Sequence, residues 1–341
     1  MNKRYGIIVL LSALVLVLSA CNQSGAATGG APRTPFIGGT SGILIDFERD
    51  SPPPEVTDDE SFGFTAIVRL KNDGEFKVPK DNIKVNLVGF DPADFGQTFD
   101  DIRDAEPDDD LESKKRDAEG NIVDGTTTFV EFPKSGSDFV PTKFPGNTPF
   151  TFRAQVCYNY ETQAVTKLCI LRDMINIRDD SICTPSGVGT SSRVVYSSSG
   201  PLQVANFRQT VVGKDRISFS FDVVLNGNVD IFWSQDERTP SSGFDSACPR
   251  AARQRREVES QVGIEITEIP VDPIFSNLKC GGLDGDNIGV VKMINGKRTI
   301  VCTVDLVQDR LDLEKNVGVR LQYNVLDNDE VEVLVKHLAE E

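Results

Sequence analysis

The sequence has few of the side chains on which most enzymes and metal sites depend. It contains one histidine, His337, no CxxC pair, and no GxSxG, HExxH, GxxxxGK[ST] or Rossmann glycine motif. Histidine-dependent acid–base or nucleophilic chemistry would therefore rest on His337 alone. A zinc site would be almost entirely thiolate, with irregular spacing. The sequence predicts no enzyme, no metal centre and no cofactor; a hydrolase using two carboxylates is the alternative.

An apolar run of membrane-spanning length is also missing. The run from Ile7 to Leu18 follows Lys3 and Arg4 and is short for a transmembrane helix. A positive start, a short apolar run and a small-residue exit are typical of a secretory signal, here residues 1–20. The exit resembles the lipobox of prokaryotic lipoproteins, in which Cys21 would be lipidated and become the mature N-terminus.

Basic residues are outnumbered by acidic ones, 36 to 52, which gives a formal net charge of -16. Nucleic acid and anionic lipid are therefore not expected to bind the folded body. Residues 21–42 are rich in Gly, Ala, Thr, Ser and Pro, a composition that predicts a flexible tether. We expect an extracytoplasmic protein, lipid-anchored to the outer face of the cell membrane. Its expected partners are that membrane and an unidentified envelope or surface protein.

Six cysteines follow Cys21, and an even number outside the cytoplasm indicates disulfides. They are Cys157, Cys169, Cys183, Cys248, Cys280 and Cys302. The pair Cys169–Cys183 brackets a short excursion, and Cys280–Cys302 brackets a predicted hairpin through Asn295-Gly296. Cys157–Cys248 follows by elimination, and a pairing of Cys157 with Cys169 across a turn near Gln163 is the rival.

Hydrophobic residues alternate with period two along most of the chain, which predicts strands. The clearest alternating segments are Phe62–Leu70, Phe150–Tyr160, Ile217–Leu225, Val319–Val325 and Val331–Val335. Asn72-Asp73-Gly74 is a hairpin signal after the first of them. The one helix candidate is Pro249 to Gln261, where arginine and glutamate stand four residues apart. Many short strands with turns between them predict an all-β protein built of β-sandwiches.

The chain divides near residues 197–201, where a turn-rich segment separates two strand-rich parts of similar size. We predict one sandwich over 43–196 and a second over 201–338. The stretch 91–124 is dense in Asp and Glu, and we expect a solvated, mobile insertion between strands. It lacks the fixed spacing of a calcium loop, so weak calcium binding is the alternative there, as it is at Leu283–Asn287.

A set of short motifs covers most of the chain after the tether. They are Gly42–Phe47, Pro52–Pro54, Leu70–Gly74, Cys157–Thr162, Cys169-Ile170, Cys183–Pro185, Ile294–Gly296 and Ile300–Cys302. Together they resemble largely uncharacterised exported and lipid-anchored Ig-like proteins of small-genome archaea. The resemblance implies tandem Ig-like domains on a cell surface and no catalytic residue. The chain departs from that group at Leu171–Ile175, where similar proteins tend to have an Asp-Pro-rich turn, so a ligand read by that turn is not implied here.

Three functions fit this sequence. The preferred one is a structural or adhesive surface lipoprotein that binds another protein through loops or edge strands. The second is an accessory subunit of an envelope machine such as a pilus, secretion system or transporter. The third is a ligand-binding or enzymatic module, although the single tryptophan, Trp233, lies in a strand-like segment that suits core packing better than a carbohydrate platform.

Overall fold

A computed structural model describes residues 34–59, 62–185, 192–233, 248–283 and 287–338. The strands, in chain order, are β1 (Ile43–Phe47), β2 (Glu55–Thr57), β3 (Ala66–Asn72), β4 (Ile83–Val88), β5 (Lys115–Arg116), β6 (Ile122–Val123), β7 (Thr127–Phe132), β8 (Thr148–Ile170), β9 (Tyr196–Ser197), β10 (Leu202–Gly213), β11 (Arg216–Leu225), β12 (Asp230–Phe232), β13 (Gln261–Thr267), β14 (Phe275–Gly281), β15 (Ile288–Lys292), β16 (Lys297–Leu306) and β17 (Leu313–Lys336). The α-helix α1 spans Ala252–Val258, inside the predicted helix. Short 3-10 helices cover Lys80–Asn82, Pro92–Phe95, Phe99–Ile102 and Ile269–Val271. The predicted signal peptide, Cys21 and the tether up to residue 33 lie outside the described residues.

Four sheets organise the described strands. The largest has the order β15-β13-β17-β8-β4, with β2, β9 and β12 paired at its margins. The others have the orders β1-β3-β7, β10-β11-β16-β14 and β5-β6. All pairs of strands are antiparallel except β2 beside β17. The all-β prediction is therefore confirmed.

The long strands β8 and β17 form the middle of the largest sheet. They pair without a register shift from Thr148 beside Val335 to Ile170 beside Leu313. Two predicted strands, Val319–Val325 and Val331–Val335, are thus parts of one strand. The polar residues between them stay in the ladder, where Glu330 forms an ion pair of 2.7 Å with Arg153 on β8. No turn interrupts β8 near Gln163.

The two hairpin signals in the sequence lead to different structures. The hairpin predicted at Asn72-Asp73-Gly74 is wrong, because β3 pairs with β1 and β7 while the next strand, β4, lies in another sheet. The buried side chain of Asn72 donates to the carbonyls of Phe76 and Leu111 at 2.8 and 3.1 Å, and so directs the chain out of its sheet. Asn295-Gly296 does form a tight turn, with φ of 51° and 70°. It joins β15 and β16, which belong to different sheets.

One hydrophobic core joins the three larger sheets. It contains Val68 of β3, Tyr158 of β8 and Phe219 of β11, each almost fully buried. From Pro35 onward the chain is one compact unit. β8 and β17, which come from opposite sides of the predicted boundary at 197–201, are neighbours in one sheet. The division into domains 43–196 and 201–338 stays a prediction.

The acidic stretch 91–124 packs onto the fold, contrary to the expectation of a mobile insertion. Phe95, Ile102 and Leu111 are buried, and Leu111 forms a backbone bridge with Val78. Its acids meet basic partners on neighbouring segments: the ammonium group of Lys77 lies 2.6 Å from Glu112, and this hydrogen bond raises the pKa of Lys77. Apolar residues among the acids therefore anchor the stretch.

Candidate functional site

Three disulfides constrain the described chain, and they join the pairs that the sequence favoured. Cys169 is bonded to Cys183, Cys280 to Cys302 and Cys157 to Cys248. The rival pairing of Cys157 with Cys169 is wrong, because both residues lie on the uninterrupted strand β8. Cys280 and Cys302 face each other on β14 and β16. The predicted hairpin between them is absent, because β15 lies in a different sheet from β16. Cys21 lies outside the described residues.

The Cys169–Cys183 bond closes a loop at one end of the sheet. This loop starts where β8 ends, and beside it lies the turn 307–312 that connects β16 with β17. Between them is a hollow of about 650 Å³. Its lining residues are Leu171, Arg172, Asp173, Asn176, Arg178 and Ser181 of the loop and Leu311 and Asp312 of the turn. We call this hollow the disulfide-loop pocket. A concave surface built from loops on a β scaffold is a common place for binding.

Arg310 fixes the loops around this pocket. Its side chain is completely buried. The guanidinium donates to the carbonyls of Leu171 and Arg172 at 2.7 and 3.2 Å. It also donates to the carbonyl of Lys214 at 2.6 Å and to the carboxylate of Asp215 at 2.7 Å. Because these acceptors lie in separate connections, one side chain joins the ends of β8, β10 and β16.

Most charged groups in the pocket wall form hydrogen bonds or ion pairs with neighbouring residues of the loops. The side-chain amide and backbone N–H of Asn176 and the backbone N–H of Ile175 bind the carboxylate of Asp173 and lower its pKa. Asp312 accepts the backbone N–H of Arg172 at 2.5 Å. The exposed guanidinium of Arg172, by contrast, forms no ion pair with any residue that the structure describes. Arg178, the other arginine of the wall, forms an exposed ion pair of 3.4 Å with Asp180, so Arg172 is the wall arginine that is open to a partner.

Three aliphatic side chains of these two loops are largely exposed, and one of them, Leu311, lines the pocket. Ile175, Ile182 and Leu311 are 61%, 62% and 67% exposed. Single exposed aliphatic side chains are ordinary, but three of them on the two loops that form a hollow indicate a contact surface. The site can bind a partner that brings an acidic group together with apolar side chains, and its wall holds no histidine or cysteine thiol that would act as a nucleophile.

His337, the only candidate for histidine chemistry, lies far along the chain from this pocket, just after β17. Its Nδ1 is 2.8 Å from the carboxylate of Asp58, which is 1% exposed. That carboxylate also accepts the backbone N–H groups of Phe144 and Leu338 at 3.0 and 2.9 Å. The N–H of Phe144, then His337 and the N–H of Leu338, hold the pKa of Asp58 far below its usual range. This arrangement ties the end of β17 to the rest of the fold.

The acidic stretches have no clustered ligand set in the described ranges. No group of three or more His, Cys, Asp or Glu side chains there is placed to hold a metal ion. Of Leu283–Asn287, residues 284–286 lie outside the described residues. Weak calcium binding stays an untested alternative. Among the residues that are described, no helix is long and apolar enough to cross a membrane.

Arg310 is the main site residue that the sequence did not reveal. Val307–Asp312 contains three polar or charged residues in a row and is typical of an exposed turn. The neighbouring sequence does not show that Arg310, rather than another charged residue of this turn, has a buried side chain. Its role depends on acceptors that lie about 100 residues or more away along the chain, such as Lys214 and Leu171.

Comparison with known proteins assigns no family to the chain. No protein-family profile matches the sequence, and no curated protein matches it. The resemblance to archaeal Ig-like proteins therefore rests on the motifs alone.

Proposed function

We propose that this protein is a non-enzymatic lipoprotein, anchored through Cys21 to the outer face of the cell membrane, with a structural or adhesive role. In this proposal its two halves are Ig-like domains, and it binds another protein at the disulfide-loop pocket. The observation that carries the proposal is the set of exposed apolar side chains on the two loops that form that pocket, which a disulfide and Arg310 hold in place. An apolar surface that is fixed before binding is suited to a protein partner.

Rigid loops favour binding because they lose little conformational freedom when a partner arrives. Ordering a mobile side chain at an interface costs about 0.5–1.5 kcal/mol. The loop 170–182 is closed at its ends by Cys169 and Cys183, and its first carbonyls are fixed by Arg310. Much of the ordering cost is therefore met during folding rather than during binding.

The residues that line the pocket indicate what kind of partner surface would fit it. Interface centres are enriched in arginine and large apolar side chains, and a few of them carry most of the binding energy. Arg172 supplies a guanidinium for a carboxylate, and Leu311 lies in the wall next to it. We expect the partner to present an acidic side chain beside aliphatic ones.

The three disulfides support the proposed location. Disulfides persist in oxidising compartments and are rare in the cytosol of most organisms. The described body contains three of them and, in those residues, every cysteine is paired. This agrees with export, which the first 20 residues predict from their own pattern.

Crosslinking in native membranes tests the pocket. The test variant carries Ile175→Ser and Leu311→Ser, and the matched control carries Ile294→Ser, an equally exposed isoleucine (65%) in the turn between β15 and β16. The wild-type chain and the control should retain the same protein in a fixed ratio. The double variant should lose most of it, because two central contacts are worth on the order of 1–2 kcal/mol each.

If the folded double variant retained the partner fully, the pocket would not be the binding site. Recovery of the same partner together with other components of a pilus, secretion system or transporter would instead favour the alternative function, an accessory subunit of that machine. Release of the full chain from membranes with Cys21 unmodified would contradict the lipid anchor.

A further inference from the structure

Strand β17 has an open edge between two of its short neighbours. On the side away from β8, Leu326 is paired with β12 and Leu334 is paired with β2. Among the described strands, none pairs on that side with the residues between them, 327–333. At about 3.3 Å per residue, the stretch from Leu326 to Leu334 spans about 26 Å. We call residues 327–333 the β17 slot.

The backbone of the β17 slot presents hydrogen-bonding groups to solvent. In an antiparallel pair, alternate residues of a strand direct both their N–H and their C=O to the same side. Leu334 donates its N–H to Pro54, on the side of β2, and β17 pairs with β8 without a register shift. Glu330 and Glu332, both exposed, therefore direct their backbone groups to that side too. No described residue forms a hydrogen bond with these groups there.

The β17 slot is acidic. It contains Asp327, Asp329, Glu330 and Glu332 and no basic residue. Among the described residues, the one cation that forms an ion pair with these acids is Arg153 on β8, 2.7 Å from Glu330. Four carboxylates and one guanidinium leave a formal net charge of -3. Burial raises the pKa of Asp327, and the charge of Asp329 raises it further. A cation beside this strand would therefore relieve repulsion among its carboxylates.

The charge and the open edge together indicate what kind of strand would fit. An open sheet edge can accept an extended segment of another chain through main-chain hydrogen bonds, and alternate side chains then give specificity. Opposite charges across a strand pair stabilise it, whereas like charges destabilise it. A second copy of the slot would place acids against acids, so pairing between two copies is disfavoured. The flanking strands do not change this balance, because Glu55 on β2 pairs with Lys336 and Asp230 on β12 pairs with Arg255.

We propose that the β17 slot binds an extended segment of a partner protein that carries Lys or Arg at alternate positions, and that this segment adds a strand to the sheet between β12 and β2. A segment of about five to seven residues fits the opening. Its backbone pairs with Glu330 and Glu332, and its basic side chains lie beside their carboxylates. The slot begins about 45 Å along β17 from Leu313, next to the disulfide-loop pocket. It is therefore a second contact surface, which depends neither on that pocket nor on the anchor at Cys21.

Peptide binding to the full chain, purified in detergent, tests the proposal. The probe is a fluorescent seven-residue peptide in which lysine alternates with valine, with both ends blocked. One control peptide has glutamate in place of lysine. The other keeps the lysines but has methyl groups on its central backbone nitrogens, which removes the main-chain donors on both of its edges. The probe should bind on the order of tenfold more tightly than either control. It should also slow hydrogen exchange in residues 328–333 and leave exchange in β7, an edge strand of another sheet, unchanged.

Two variants separate the slot from the overall charge of the protein. Glu332→Lys should weaken binding of the lysine peptide several-fold, because it replaces an attraction across the strand pair with a repulsion. The matched control, Glu131→Lys, changes an exposed glutamate on β7 and should bind the peptide as the wild type does. Equal weakening in both variants, or equal binding of the methylated peptide, would mean that charge alone attracts the peptide and would overturn the proposal. A lysine peptide that does not bind the wild-type chain would overturn it as well.

Discussion

Arg310 is a buried residue that holds the loops of the pocket in place without lining the pocket itself. Its guanidinium N–H groups donate to backbone carbonyls and to the carboxylate of Asp215, and the side chain is not exposed to solvent. A shorter or apolar side chain would leave these acceptors buried without donors, which costs roughly 1–3 kcal/mol for each such group. Residues that line the pocket depend on this hidden contact.

Replacing Arg310 should therefore destabilise the protein strongly. We expect Arg310→Met to lower the free energy of unfolding by about 3–5 kcal/mol, because it leaves several carbonyls and the partly buried carboxylate of Asp215 without their donor. The control Arg178→Met removes an arginine that is 74% exposed and should change stability by less than about 0.5 kcal/mol. Chemical denaturation measures both. Equal stability of the two variants would show that Arg310 does not organise the loops.

Asp58 gives a prediction of pH dependence. Its pKa in the folded protein is lowered by the N–H of Phe144, by His337 and by the N–H of Leu338. A lowered carboxyl pKa stabilises the fold above the unfolded value of about 4, and this contribution is lost as the pH falls through the folded value. Asp58→Asn should thus lower the melting temperature at neutral pH, and the difference from wild type should shrink in acid.

Thermal unfolding from neutral pH into the acid range checks this behaviour. Asp81→Asn, which changes an exposed carboxylate, is the matched control and should follow the wild type throughout. A difference between wild type and Asp58→Asn that stays constant at all pH values would mean that the ionised carboxylate is not the stabilising form.

At the scale of elements, the loop between Cys169 and Cys183 is closed at its ends by a disulfide bond. A closed loop of about 15 residues is worth about 3 kcal/mol in the chain-entropy description of disulfides. The loop also contains Ile175 and Ile182, the exposed apolar residues proposed to meet a partner. The bond thus contributes to stability and to the order of the binding surface.

Removing that bond should loosen the loop selectively. In the variant Cys169→Ala with Cys183→Ala, we expect a loss of about 3 kcal/mol in unfolding free energy and faster hydrogen exchange in residues 171–182. The control variant, Cys280→Ala with Cys302→Ala, removes a bond between β14 and β16 and should leave exchange in 171–182 unchanged. Identical exchange of this loop in the wild type and the first variant would contradict its role as a rigid surface.

The sequence predicted the elements better than their pairing. Period-two alternation identified β8 and β11 because each buries every second side chain, and the Arg–Glu spacing identified α1. Alternation contains no information about which strands become neighbours, so it did not show that β17 is a single strand of 24 residues beside β8. The Asn72 turn was misread because its side chain makes long-range contacts, to Leu111 among others.

The candidate site was predictable only in part, for the same reason. The pairing of Cys169 with Cys183 could be predicted because the two cysteines are only 14 residues apart in the sequence. The pocket was not, since it needs the turn 307–312 to lie beside a loop more than a hundred residues earlier.

At the scale of the whole molecule, charge and covalent bonds suggest an arrangement. The start of the described chain, Pro35–Ile37, lies beside Lys114–Arg116, whereas the disulfide-loop pocket lies where β8 ends. Under the proposed function, the anchored tether leads to the first of these places and the protein partner binds at the second. The net charge of -16 favours solubility and repels other anionic surfaces.

The central claim is that a lipid-anchored chain binds a protein partner at the disulfide-loop pocket. The most direct test is crosslinking mass spectrometry on native membranes, read at Lys214, whose carbonyl binds Arg310, and at the modification state of Cys21. We predict a diacylated Cys21 and crosslinks from Lys214 to one dominant partner, lost with Ile175→Ser and Leu311→Ser. An unmodified Cys21, or a partner crosslinked equally well by the double variant, would contradict the claim.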